Sequence, residues 1–443
     1  MKKKYKLKLW FKVVCFLAVI LLIILLKPFL FSKKEEVKEE PVKEEEVKPL
    51  ITDVVYDKLK DYSIDKEFIV WIDKNYDGSL EKLDNLLTDK EYDKSMWHDA
   101  TGYSFIVLND LYSNKYEGKS NYKVLDSKDI AKMDFVGDIS LADNWYIMPK
   151  YDSRGKKVYG ILDKQLVDIM TSSDFMVVNS EFTVSKRGKA MAGKQYTFRA
   201  KPERLNIYHE MGVDLALLAN NHVYDFGKDA FMDMLGHFKE YNIPYIGAGK
   251  NLNEATSAYY IVLNGYKIAF LNATRAEKYI LTPGATNTSE GVFRCYDPAR
   301  MISEIKKAKE ESDFVIANIH FGKEMSHVLE KEQTSSARKY IDAGADMVVG
   351  HHAHVLQGVE VYKDKPIIYN LGNYIFNSLT IDTAIFEVRM DSKGNMEYYM
   401  IPAIQKNCMT NMANAADKKR IIKDLNSWSI NAKIDENGKI TKK

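Results

Sequence analysis

Cysteine is scarce, with three residues in a chain of 443. Cys15 lies inside an apolar run, which leaves Cys295 and Cys408 to the globular part, too few for a disulfide framework. Whether those two pair is not legible from the sequence. No Cys-x-x-Cys occurs, so a metal site would draw on His, Asn and carboxylates. With 10 Pro, 23 Gly, 46% hydrophobic and 28% charged residues, collagen-like, wholly disordered and polytopic membrane classes are disfavoured. A surplus of one charge is missing too: the net is +2, and residues 50–443 hold 52 basic against 55 acidic side chains. Such a balance lacks the basic surface that a phosphate backbone requires, so nucleic acid is not an expected partner. At 46% hydrophobic and 28% charged residues, most of the chain reads as a large globular core with smaller attachments.

The N-terminus is different. Val13–Leu26 is an unbroken apolar run of 14 residues, and the flanking Leu9–Phe11 and Phe29–Phe31 extend it to bilayer length if Lys12 and Lys27 snorkel. Six lysines up to Lys12 stand on its N-terminal side with no acid among them. The positive-inside rule then expects residues 1–8 to be a cytoplasmic tail, 9–31 a signal-anchor helix and the rest extracellular. The alternative is a cleaved signal peptide, although no small-x-small site follows the apolar core. A lipoprotein is not expected, since Cys15 starts the run rather than ending it. Residues 32–49 are a mixed-charge, low-complexity stalk with no core-forming face.

Residues 50–130 carry Trp71, Leu80, Leu83, Leu86, Leu87, Trp97 and Phe105–Leu108 at largely helical spacing, which predicts a small helical region. Within it Asp73, Asn75, Asp77, Gly78 and Asp84 satisfy much of an EF-hand calcium loop. Position twelve is Asp, however, and Asp77-Gly78-Ser79 serves equally as the start of a Leu80/Leu83/Leu87 helix.

From Lys132 onward, short β-branched or aromatic runs alternate with amphipathic helices, the pattern of an α/β sheet with crossovers. Hairpins are expected at Asn264-Gly265, Lys363-Asp364 and Lys393-Gly394, so two sheets are expected in all. Polar clusters follow the strands: Gly137-Asp138, Asn179-Ser180-Glu181, Asn220-Asn221-His222, His320 and His351-His352-Ala353-His354. Loops at the carboxyl ends of such strands converge on one crevice. Carboxylates, a carboxamide and several imidazoles together make an oxygen/nitrogen ligand set for a divalent transition metal.

These motifs also carry a resemblance. With Tyr196-Thr197-Phe198-Arg199-Ala200, Asp225-x-Gly227, His320-Phe321-Gly322-x-Glu324, His354-Val355-x-Gln357-Gly358 and Tyr369-Asn370-Leu371-Gly372-Asn373-Tyr374-x-Phe376, residues 131–378 resemble capsule-synthesis proteins of the CapA/PgsA type. Those are associated with poly-γ-glutamate and related to calcineurin-like metallophosphoesterases. The resemblance implies a four-layer α/β/β/α sandwich over residues 131–405, with 406–443 as a C-terminal extension. It implies metal ligation by Asp138, Glu181 (bridging), Asn221, His320, His352 and His354, and a catalytic role for His222 as outer-sphere acid beside Asn221. Arg199, Arg275 and Asn373 would meet the substrate; Arg199 has a structural salt bridge as its alternative role. Asp225 would stand behind His222, and His351 would be a second-layer partner or a substitute ligand. The cofactor would be one or two ions of manganese, zinc or iron.

Two departures stand out: Asp138-Ile139-Ser140 replaces the Asp-x-His of ordinary phosphoesterases, and Glu181 replaces a shorter Asp. Three functions follow as expectations. One is an anchored extracellular hydrolase of a phosphoester, or of an amide, in a cell-envelope polymer. Another is non-catalytic synthesis, export or retention of an anionic capsule polymer, alongside the cytoplasmic membrane and other capsule-synthesis membrane proteins. The third is a degenerate, metal-free fold.

Overall fold

The computed structural model describes residues 49–155, 157–276 and 280–443. The expected membrane span at 9–31, the tail before it and the stalk to residue 48 lie outside the described residues. Among the described residues no helix is long and apolar enough to cross a membrane.

Among the described residues, the first five α-helices are α1 (Ile51–Leu59), α2 (Lys66–Asn75), α3 (Ser79–Asp89), α4 (Ser95–Thr101) and α5 (Phe105–Tyr112). They close over Val55, Leu59, Ile69, Ile72, Leu83, Trp97 and Leu108, the apolar stripes that helical spacing turns to one side. Asp73 and Asn75 lie in α2, while Asp84 sits in α3 with its carboxylate 2.6 Å from Lys58 Nζ. Gly78 takes φ +67° in the turn just before Ser79, where α3 begins, so the helix start that these residues offered is formed.

Two sheets follow. The seven-stranded one comprises β1 (Tyr122–Val124), β9 (Tyr259–Leu263), β10 (Tyr266–Thr274), β12 (Phe314–His320), β13 (Met347–His351), β15 (Lys365–Ile368) and β14 (Val359–Tyr362), in that order. The eight-stranded one runs β19 (Met409–Met412), β18 (Met396–Lys406), β17 (Ile381–Asp391), β2 (Ile130–Ile139), β3 (Phe175–Ser180), β6 (Leu215–Leu217) and β7 (Tyr245–Ile246), and β16 (Asn373–Ile375) also pairs with β2. Short two-stranded pairs are β4 (Thr183–Val184) with β5 (Arg199–Ala200), β8 (Ala248–Gly249) with β11 (Gly291–Val292), and β20 (Ala432–Ile434) with β21 (Ile440–Lys442).

Alternation along the strands sorts their side chains. Met133, Phe135 and Phe175 from one sheet meet Ile268, Phe270, Ile316 and Val349 from the other, so the sheets stack face to face. The outer face of the eight-stranded sheet packs on α6 (Ile147–Arg154), α7 (Lys164–Ser172), α8 (Asn206–Glu210) and α9 (Gly227–Glu240). The outer face of the other packs on α10 (Leu252–Thr256), α11 (Ala299–Glu311) and α12 (Lys331–Asp342). The layers are therefore α/β/β/α. At Asn264-Gly265 both residues have positive φ, +48° and +77°, the type I′ geometry that two-residue hairpins need. The C-terminal α13 (Ala415–Trp428) and the β20–β21 hairpin are built into the inter-sheet core through Ile421, Ile422, Leu425, Ile434 and Ile440. Cys295 and Cys408 are both buried and free.

Candidate metal centre

Strands β2, β3 and β6 run parallel in one sheet, as do β10, β12 and β13 in the other. Their carboxyl ends open at the same end of the sandwich, which brings the polar clusters together. At the end of β2, Gly137 coincides with a register irregularity against β3, and a Cβ there would strike the Gly372 carbonyl. That close approach lets Asp138 N donate to Gly372 O at 2.8 Å, which places the Asp138 carboxylate in the crevice. The loop after β13 is held differently: His352 and His354 adopt φ +97° and +59°, a backbone uncommon for non-glycine residues.

Six far-apart residues meet here, and all are buried: Asp138, Glu181, Asn221, His320, His352 and His354. Their donor atoms form two triads, Asp138–Glu181–His354 and Glu181–His320–His352, sharing Glu181. Asn221 joins the second, its Oδ1 lying 2.8 Å from His320 Nε2. Among the described residues Glu181 Oε1 has no hydrogen-bond partner. Instead it faces Nε2 of His320 and His354 at 3.7 Å each and Nε2 of His222 at 3.9 Å. These separations are too long for hydrogen bonds. Side chains that each reach about 2.1 Å to a common ion stand at such mutual distances. An orphaned buried carboxylate oxygen among imidazole tips therefore fits a divalent cation, and the mixed O/N donor set agrees.

The charges are held unevenly. Burial pushes Asp138 up, but the imidazoles of His351 and His354 outweigh it and hold the carboxyl well below its usual range. Glu181 is pushed well above its own range by burial and then by the Asp138 charge. Burial and neighbouring imidazoles depress His320 strongly and His352 to about 3, so both rings are neutral and have a lone pair to give. His354 is moved the other way: its hydrogen bond to Asp138 overcomes the effect of burial.

The remaining expected residues fall in several places. His222 belongs to neither triad; its Nδ1 lies 2.8 Å from Asp225 Oδ2, which puts Asp225 behind it as expected. His351 is buried with neither ring nitrogen hydrogen-bonded among the described residues, its Nδ1 being 3.5 Å from Asp138 Oδ1. Asn373 is buried, with Oδ1 2.8 Å from His354 Nδ1, so it holds that ring, while its Nδ2 has no hydrogen-bond partner among the described residues. Arg199 makes no carboxylate pair among the described residues. Its guanidinium donates to the Arg187 and Gly188 carbonyls and lies 4.2 Å above the Phe226 ring. Arg275 is half-buried at the end of β10, its N–H donating to His320 O and its guanidinium 5.1 Å from the Tyr296 ring centre.

Sequence reasoning gave no role to Asn179, whose Nδ2 donates to both Asp138 Oδ1 (2.8 Å) and Glu181 Oε2 (3.1 Å). Its position two residues before Glu181 was the available signal, since the strand period puts both on one face. Phe198 and Phe376 were also missed; they lie 4.3 Å from the His222 ring and 4.5 Å from the His354 ring and wall one side of the crevice. Lys194, whose Nζ lies 2.6 Å from Asp225 Oδ1, left no signal in the sequence.

Residues 132–378 match the family described as bacterial capsule synthesis protein PGA_cap. The chain belongs to that family. It is 30% identical over 322 residues to the PGA biosynthesis protein CapA of Bacillus subtilis, covering 71% of this chain and 83% of that protein. It is 32% identical over 267 residues to the capsule biosynthesis protein CapA of Bacillus anthracis, covering 58% of this chain and 64% of that one. The chain thus spans just under two thirds of the Bacillus anthracis relative. Among solved structures, a 5′-nucleotidase from Candida albicans aligns over 62% of this chain and 52% of its own, at 11% identity and a TM-score of 0.32.

Proposed function

We propose that this CapA relative acts in the synthesis, export or retention of an anionic capsule polymer of the poly-γ-glutamate type, with a divalent metal in its crevice. The observation that carries the metal is Glu181 Oε1, buried and unbonded among the Nε2 atoms of His222, His320 and His354. Asp138, Glu181 and His354 would hold one ion, and Glu181, Asn221, His320 and His352 a second. A bound cation would polarise a phosphoester oxygen and make water more acidic. His222, its Nδ1 fixed by Asp225, keeps Nε2 available to move a proton at the leaving atom. The fully buried Ser140 hydroxyl, unbonded where the resemblance expects an imidazole, favours a second reading in which the first ion binds weakly and the crevice retains polymer without turnover.

The apolar run at Val13–Leu26 and the lysines before it support a single-pass anchor, with the N-terminus cytoplasmic and residues 50–443 outside. One experiment separates the readings: metal content of purified residues 50–443, together with nitrophenol release from a generic phosphodiester. Release that depends on metal and disappears in His222→Ala and Asn221→Ala marks a hydrolase. Bound metal and polymer retention without release mark the second reading. A protein that takes up no metal on reconstitution would sink the metal centre.

A further inference from the structure

Between β4 and β5 the chain makes a strap, residues 185–198, that is hydrogen-bonded to the Asn221–Asp225 loop, Met191 N donating to Asp225 O at 2.8 Å. Gly188 and Gly193 sit in it at φ +83° and +86°. Lys186 and Arg187 turn outward and pair with Glu203 and Asp233 on the surface. Lys194 turns inward. Its side chain is 1% exposed, and Nζ donates to Asp225 Oδ1 at 2.6 Å and to the Asn221 carbonyl. Asp225 Oδ2 in turn takes the Phe198 N–H at 2.7 Å and lies 2.8 Å from His222 Nδ1. One ammonium thus touches the backbone of a candidate ligand, Asn221, and the carboxylate behind His222.

Burying an ammonium costs several kcal/mol, and an apolar side chain of the same length would fill the space without that penalty. What the charge adds is direction: with Oδ1 pinned by Lys194, Asp225 presents Oδ2 to His222 Nδ1 and selects the tautomer whose Nε2 is bare. We propose that Lys194 is a positioning residue for the crevice, setting the His222 ring through Asp225 and the Asn221 side chain through its main chain. The Asn221 half of this rests on the metal reading; the His222 half does not.

The test uses metal-free protein labelled with ¹⁵N-histidine, in which the His222 Nδ1–H resonance is assigned by its loss in His222→Gln. Wild type and Lys194→Arg are expected to show that resonance, and Lys194→Met to lose or broaden it. Manganese affinity by calorimetry is expected to fall about 10- to 100-fold in Lys194→Met, the usual cost of an outer-shell partner, and to stay within about threefold in Lys194→Arg. A merely structural lysine would lower Tm and move neither readout. Should Lys194→Met fail to fold, Lys194→Gln serves, being polar but too short to reach both acceptors. The proposal is overturned if either variant, folded, keeps the wild-type His222 resonance and manganese affinity within threefold. A wild type that binds no manganese yet shows the resonance contrast would end the metal reading and leave this role standing.

Discussion

Asn179 is the residue on which the crevice's carboxylates depend, because a single amide supplies a donor to both Asp138 and Glu181. Asn179→Ala leaves two buried carboxylate oxygens without that donor, at about 1–3 kcal/mol each. The expected result is a lowered Tm together with at least tenfold weaker metal binding by calorimetry; unchanged affinity would show that the amide is incidental. Asp134 poses a different problem. It is fully buried, both carboxylate oxygens lack hydrogen-bond partners among the described residues, and its cross-strand neighbour is Glu387. Burial and then the Glu387 charge push it from 3.8 up to about 7. A raised acid stabilises the fold fully below its unfolded value and loses that contribution as pH climbs through the folded one. The Tm of wild type relative to Asp134→Asn should therefore fall between about pH 4 and 7 and level off above. A flat difference across that window in thermal scans would count against it.

At the level of elements, the helical region is joined to the sandwich through the β9–β10 hairpin. His98 from α4 stacks on Tyr266, with ring centres 4.2 Å apart, and Ser104 N donates to Gly265 O. The strongest tie is Lys267 of β10, fully buried, 2.6 Å from Asp110 of α5 and 4.2 Å from the Tyr116 ring centre. Removing one partner of such a pair strands the other charge. Lys267→Met should cost about 3 kcal/mol in denaturant melts, while Lys267→Met with Asp110→Leu should recover most of it. A double variant no more stable than the single would mean that the region is held by its apolar contacts. The strap between β4 and β5 shows the opposite economy: its outward charges are solvated pairs worth little, and one inward lysine connects it to the crevice.

For the whole molecule, the sandwich does not end where the family match does, at residue 378. Residues 413–443 place Ile421, Ile422, Leu425, Ala432, Ile434 and Ile440 in the inter-sheet core, and Trp428 lies 4.2 Å from His327 on the loop that follows β12. Truncation at residue 412 would expose that core, so the shortened chain should lose its cooperative unfolding transition by calorimetry. A truncated protein with a sharp transition near the wild-type Tm would contradict this. A cation held between the two sheets should act on the same scale. Manganese at a hundredfold excess over its Kd should add about 2.7 kcal/mol to stability, visible as a raised Tm that chelator reverses.

Periodicity and turn chemistry in the amino-acid order were enough for the alternation of strands and helices, the Asn264-Gly265 hairpin and the placement of Asp138, Glu181, Asn221, His320, His352 and His354 at strand ends. Each of those is a local pattern, or a motif whose spacing a backbone period dictates. At Asp73–Asp84 the loop signature and a helix start share the same residues, and the partner of Asp84, Lys58 on another helix, is set by how the helices pack rather than by either local pattern. Only the tertiary structure decided that Asn373 orients His354, that Arg199 spends its donors on strap carbonyls, that Asn179 bridges two carboxylates and that Lys194 reaches Asp225. These are hydrogen bonds between segments distant in sequence, and their partners depend on how the two sheets stack and which way each loop then turns, a matter of packing that no single stretch of chain encodes.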